Sequence, residues 1–264
     1  MTNYGMHGSG MRLEWFLIVM LILAIGIYTG LGIFSKQKTH LKPWPLFRYV
    51  CWWFGIIAMG AALIGPVAGK AHTDFTVHMI GHLFLGMLAP LLIALAAPIT
   101  LILRALPVHA ARRLSMLLKN RLIRLFRHPI TASLLNIGGL WLLYTTGLYE
   151  LMQQHMLVHV LVHFHVFAAG YLFTISMIYI DPAPHRFSHM YRAIVLVCAL
   201  SGHAILSKYI YANPPVGVPK DQAETGAMLM YYGGDVMDGI LIFILCLHWY
   251  HAARPKQRMA ISTS

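Results

Sequence analysis

The segment HMIGHLFLGMLAPLLIALAAPITLILRALP, residues 78–107, decides how the chain reads. From Leu83 to Leu103 it carries no charged side chain. About 20 apolar residues suffice for a helix to cross a bilayer. At its head stand two histidines, His78 and His82, four residues apart. An ionisable group in a membrane span is costly, so it faces the bundle interior and marks a functional path. Imidazoles one helical turn apart point to one side, the arrangement a metal site needs. The apolar run, taken as a span over 76–103, is too long to cross straight. Pro90 and Pro98 therefore predict a kink near the first and an exit around the second.

Working outward, six further stretches have the same character: 15–34, 48–68, 130–149, 155–180, 191–211 and 230–251. The chain has 264 residues, 58% hydrophobic and 11% charged. A soluble globular domain carries about 25% charged residues. The reading is an all-α, polytopic membrane helix bundle of about seven transmembrane helices, one integral membrane domain over 1–264. The run from Trp15 to Phe34 ends without a small-residue cleavage site, so it reads as a retained first span, not a removed signal peptide. Cys51, Cys198 and Cys246 form no C-x-x-C or C-x-C pair and read as buried small hydrophobes.

Net charge is +12, which alone would suit nucleic acid, but its distribution points to a membrane instead. Sixteen of the 20 Lys and Arg fall in 36–48, 104–128, 181–192 and 252–264, which alternate with the poorly charged connections across all seven spans. Cytoplasmic loops carry the excess of Lys and Arg. This places the N-terminus outside and the C-terminus in the cytoplasm. Within 107–128, Leu114, Leu117, Leu118, Leu122 and Leu125 recur at helical spacing among Arg112, Arg113, Lys119, Arg121 and Arg124. That pattern predicts a basic amphipathic helix on the cytoplasmic leaflet, with anionic lipid or a partner complex as its contact.

The fifth span repeats the histidine spacing, as His155, His159 and His163. With the orientation above, His78, His82, His159 and His163 fall in one outer layer. His203 on the sixth span and Asp235, Met237 and Asp238 on the seventh reach the same layer. We take His78, His82, His159 and His163 as the candidate metal ligands, with Asp235 or Met237 completing the site. Met79, His155, His203 and Asp238 stand in a second rank, since packing or interhelical hydrogen bonds explain them as well. Asp74 extends the His78–His82 stripe outward, and His165 points away from it. Neutral imidazoles with a carboxylate or thioether suit copper, zinc or iron. Paired histidines on facing helices also ligate haem iron, so haem is the alternative to copper. No Ser-His-Asp grouping, phosphate loop or paired catalytic carboxylates appears, which argues against an enzyme.

At these residues the chain resembles the multi-span cytochrome c oxidase assembly factors of the CtaG type. The similarity runs through residues 78–107, His128-Pro129, HVLVHFHVFAAGYLF at 159–173 and GGDVM at 233–237. His78, His82, His159, His163 and Met237 match family positions. Tyr144 stands where many members carry a histidine, and Asp238 where an aromatic is common. The resemblance implies a histidine-rich, multi-pass protein of the bacterial plasma membrane that supports copper supply to a haem-copper oxidase subunit of the respiratory chain. A membrane copper transporter and a haem-binding electron carrier are the competing functions. The oligomeric state is not legible in the sequence.

Overall fold

The computed structural model describes residues 4–38 and 41–254. Lys256 and Arg258, counted above with the basic segments, lie outside them. The described residues are almost wholly helical, with no strand among them. Among the described residues, six helical stretches are long and apolar enough to cross a membrane: Glu14–Lys36, Leu46–Leu63, Phe75–Ala105, Met156–Met177, His189–Ala212 and Lys220–Ala253.

In chain order, α1 (Tyr4–Lys36) and α2 (Leu46–Leu63) lead through a short α3 (Gly65–Ala71) into α4 (Phe75–Leu83). A π turn, Phe84–Leu88, joins α4 to α5 (Ala89–Ala96), and α6 (Pro98–Ala105) follows. The kink expected near Pro90 is this π turn. Proline has no N–H and crowds the carbonyl four residues back. Opening the helix by one residue relieves that clash, and the Ala89 N–H bonds back to Phe84 O. The break at Pro98 is also present. Ala97 sits at φ 53°, in the left-handed region, and α6 starts afresh after it. Asp181, from a distant loop, accepts hydrogen bonds from the N–H groups of Ile99 and Thr100 and from the Thr100 hydroxyl. At the other end of α6, Lys38 Nζ donates to the carbonyls of Arg104, Ala105 and Leu106. A cation there complements the negative end of the helix.

The amphipathic stretch is two helices, α7 (Val108–Leu118) and α8 (Arg121–Phe126), where the periodicity predicts one. Asn120 divides them by capping α8, its side chain accepting from Leu122 N. Met116, Leu117, Leu122 and Leu125 are all exposed.

The expected fourth span departs most from the sequence reading. It is α9 (Pro129–Ser133), a π turn Leu134–Gly138 and α10 (Gly139–Thr145), one unbroken helix over 129–145. At 1.5 Å per residue that is about 26 Å, short of the roughly 30 Å hydrocarbon core. Its ends nonetheless lie at opposite ends of the bundle. His128 packs against Phe187 and Tyr191, and Tyr144 packs against His78. A short α11 (Leu148–Gln154) then turns the chain into α12 (Met156–Met177).

The last two long helices are α13 (His189–Ala212) and α14 (Lys220–Ala253), which pack together, and α14 also packs on α4. α14 begins ten residues before the expected 230. Pro219 precedes its first turn and Asp221 lies within that turn, where an acidic side chain favours the helix N-terminus. Two further expectations are corrected. Cys198 and Cys246 face outward, with Cys51 half-buried. Arg192, assigned by charge pattern to a flanking loop, is buried inside α13 at 2% exposure.

Candidate metal centre

The candidate histidines gather at the end of the bundle opposite Arg104 and Arg127. His78 and His82 project from α4 into the core and are buried. Asp74 caps that helix, accepting from Thr76 N and Val77 N, so the stripe ends in a structural carboxylate. His159 and His163 are half-buried on α12, their rings stacked at 4.1 Å, and His163 Nδ1 lies 2.9 Å from His159 O. His72, exposed on the turn before α4, stacks on His159 at 4.8 Å and meets Gln153 at 3.2 Å. His78 stands edge-on to His163 at 6.4 Å, and its Nε2 lies 3.1 Å from the Tyr144 hydroxyl. Tyr144 thus takes up a hydrogen-bonding position beside His78.

His82 is placed differently. It lines one cavity with His78, His163 and Tyr144, and a second with His203, Met237, Asp238, Asn136 and Met87. Each has a free volume of about 20 Å³. That is room for one water-sized group. The His82 and His203 rings face one another at 6.5 Å. Both are nearly fully buried, at 6% and 5% exposure, and the Nε2 atom of each has no hydrogen-bond partner. His159 Nδ1 is likewise buried and unpartnered. An unpaired buried polar atom costs about 1–3 kcal/mol. Three such atoms lie at this end of the bundle.

His203 fits there because of Gly234. A Cβ at residue 234 would lie 2.6 Å from His203 Cε1. Two small residues likewise bring α12 against the first π turn, where a Cβ on Gly170 would collide with Gly86 O.

The four histidines expected around one ion are therefore apportioned between a surface stack and a buried pair. Among the described residues, no three or more His, Cys, Asp or Glu side chains are gathered closely enough to hold an ion together. Of the second-rank residues, His203 and Asp238 prove to be buried cavity residues. Met79, fully buried among Phe75, Tyr144 and Met230, is core packing. His155 is exposed at the start of α12. Asp235 is exposed in mid-helix and lines neither cavity, while Met237 lines the second. His165 faces away as expected, with Nε2 3.0 Å from Leu135 O in the second π turn. The sequence reads His72 as a solvated side chain and does not single out Met87. The i, i+4 rule does not reach His72, which lies outside the helix. The Met87 thioether was hidden among 16 methionines.

With six helices long and apolar enough to cross a bilayer among its described residues, the chain belongs among the helical membrane proteins as a class. More particularly, residues 26–252 match the family of cytochrome c oxidase caa3 assembly factors, and the chain belongs to that family. It is 32% identical over 190 residues to an uncharacterized protein of Mycobacterium bovis and, equally, to one of Mycobacterium tuberculosis. An uncharacterized protein of Mycobacterium leprae is 29% identical over 191 residues. These matches cover 69%, 69% and 70% of this chain but 28% of each relative, so the chain spans under a third of their length. No solved structure matches the chain.

Proposed function

We propose that this protein is a non-catalytic assembly factor for a haem-copper cytochrome c oxidase, holding copper as cargo for an oxidase subunit. It works in the bacterial plasma membrane with the histidine end outside, the arginine-rich end in the cytoplasm, and the short helix over 129–145 as a seventh crossing. The alternation of basic and poorly charged connections supports this orientation.

The observation that carries the reading is the pair of unpartnered Nε2 atoms on His82 and His203 beside one cavity with Met237 and Asp238. Imidazole and thioether donors suit copper in either oxidation state. Exposed His72, stacked His159 and His163, and edge-on His78 form a line of imidazoles leading inward from the surface to His82. Copper enters along this line and rests between His82 and His203. Two features favour this over the alternatives. The cavity admits a single ion and is far smaller than a porphyrin. Beyond it lies a core of Leu91, Phe173, Leu241 and Leu245, where the Met177 thioether alone among the buried side chains could meet an ion, too little for a path across.

Metal analysis and an optical spectrum on detergent-purified protein test the proposal. His82→Ala and His203→Ala should each remove most of the bound copper, and oxidase activity in cells should fall with them. Full copper content and full oxidase assembly in both variants would sink the reading. Loss of a haem spectrum in either would hand it to the electron carrier.

A further inference from the structure

At the end of the bundle away from the histidine cavities, a pocket of about 310 Å³ lies between the start of α13 and the end of α14. Arg186, His189, Arg192, His248 and His251 line it, with Tyr179 and Phe187. No carboxylate is among the described residues that do so. Two arginines gathered without an acid repel one another, and an anion between them would offset that repulsion.

Arg192 is the centre of the argument. It is 2% exposed, so its guanidinium is held inside the protein. One nitrogen donates to Met177 O, and the guanidinium lies 4.2 Å from the centre of the Tyr179 ring. Its buried Nε has no partner. An arginine is always charged, and a buried charge without a counter-charge is severely penalised. On the same ring, Arg186 stands 5.9 Å from the centroid, exposed and free to turn toward the pocket. The N-terminus of α13 opens at His189, and its first N–H groups add positive potential.

We infer that this pocket binds a phosphate-type anion, with Arg192 and Arg186 as its principal donors and His189 and His248 flanking it. Guanidinium forks match phosphate oxygens in pairs, which is why arginine holds such groups. The phosphate comes from an anionic lipid headgroup at the leaflet or from a soluble phosphate. The site is separate from the copper reading and stands or falls without it.

The test uses the whole protein, purified and delipidated. Phosphatidylglycerol, phosphatidylcholine and inorganic phosphate are offered separately. Lipid binding is read by native mass spectrometry, and phosphate binding by the shift in thermal unfolding. Phosphatidylglycerol should be retained in preference to phosphatidylcholine. Its binding should weaken by about tenfold in Arg186→Gln, the loss of one charge-assisted hydrogen bond. Arg192→Gln should weaken it further. Because Arg192 also supports the fold, the exposed Arg186 variant keeps the test decisive. Lys70→Gln, exposed on α3 at the opposite end of the bundle, should leave binding unchanged. If inorganic phosphate raises the unfolding temperature and Arg186→Gln abolishes the rise, while lipids show no preference, the source is soluble and the site stands. Binding untouched in both pocket variants, or lowered equally by Lys70→Gln, would overturn the inference.

Discussion

His203 reaches its cavity only because residue 234 has no side chain. Gly234→Ala places a methyl group against the ring without touching a proposed ligand. We expect it to displace His203 and lower copper content, measured by metal analysis, while the bundle still folds. A wild-type copper load in that variant would mean that the position of His203 is not critical. His165→Ala provides the contrast. It removes a hydrogen bond to Leu135 O at the second π turn. We expect unchanged copper and a stability loss of about 1 kcal/mol, read from thermal unfolding in detergent. Tyr144 shows how far residue type alone could be read. A tyrosine in place of an expected ligand looked like a gap in the metal geometry, yet its hydroxyl meets His78 Nε2.

At the scale of elements, α6 depends on a residue far from it in sequence. Asp181 satisfies two of its first N–H groups after the chain turns at Ala97. Asp181→Ala should leave both without their acceptor and cost about 1–3 kcal/mol, measured by unfolding and by protection of Ile99 and Thr100 from hydrogen exchange. Helix existence was legible because hydropathy reports membrane burial directly. The start of α14 was missed because YYGGD resembles a loop entering a span. Glycine does not stop a helix that is packed on both sides, as α14 is by α4 and α13. The pairing of His82 with His203 was equally hidden. It depends on which faces of α4, α13 and α14 meet, and helical spacing describes only one helix at a time. The short helix over 129–145 was overestimated because Thr146 takes an extended conformation that ends it early.

For the whole molecule, orientation is the first question. In a variant with its three cysteines replaced by serine, Val216→Cys should be labelled from outside and Ser115→Cys spared. The opposite pattern would reverse the orientation and place the histidine end in the cytoplasm. The amphipathic helices α7 and α8 are expected to rest on the cytoplasmic leaflet. Replacing Arg112, Arg113, Arg121 and Arg124 by glutamine removes about 1 kcal/mol of lipid attraction each. Membrane insertion or docking should suffer in that variant while copper content persists. Loss of copper there would show that the two ends of the bundle are coupled.

The attachment of α1 sets the order in which the bundle is completed. Tyr28 donates to Ala96 O, stacks on Trp52 and accepts from Trp44, while Trp52 donates to Ala24 O. The first of these partners is 68 residues downstream. At roughly 5–20 residues per second of synthesis, α1 waits about 3–14 s beside the ribosome before Ala96 exists. Through that interval Trp44 and Trp52 are the partners it can meet, and the rest of its apolar surface faces lipid or the insertion machinery. The least enclosed of the six long apolar helices thus has one of its anchoring acceptors still to be synthesised when it enters the membrane.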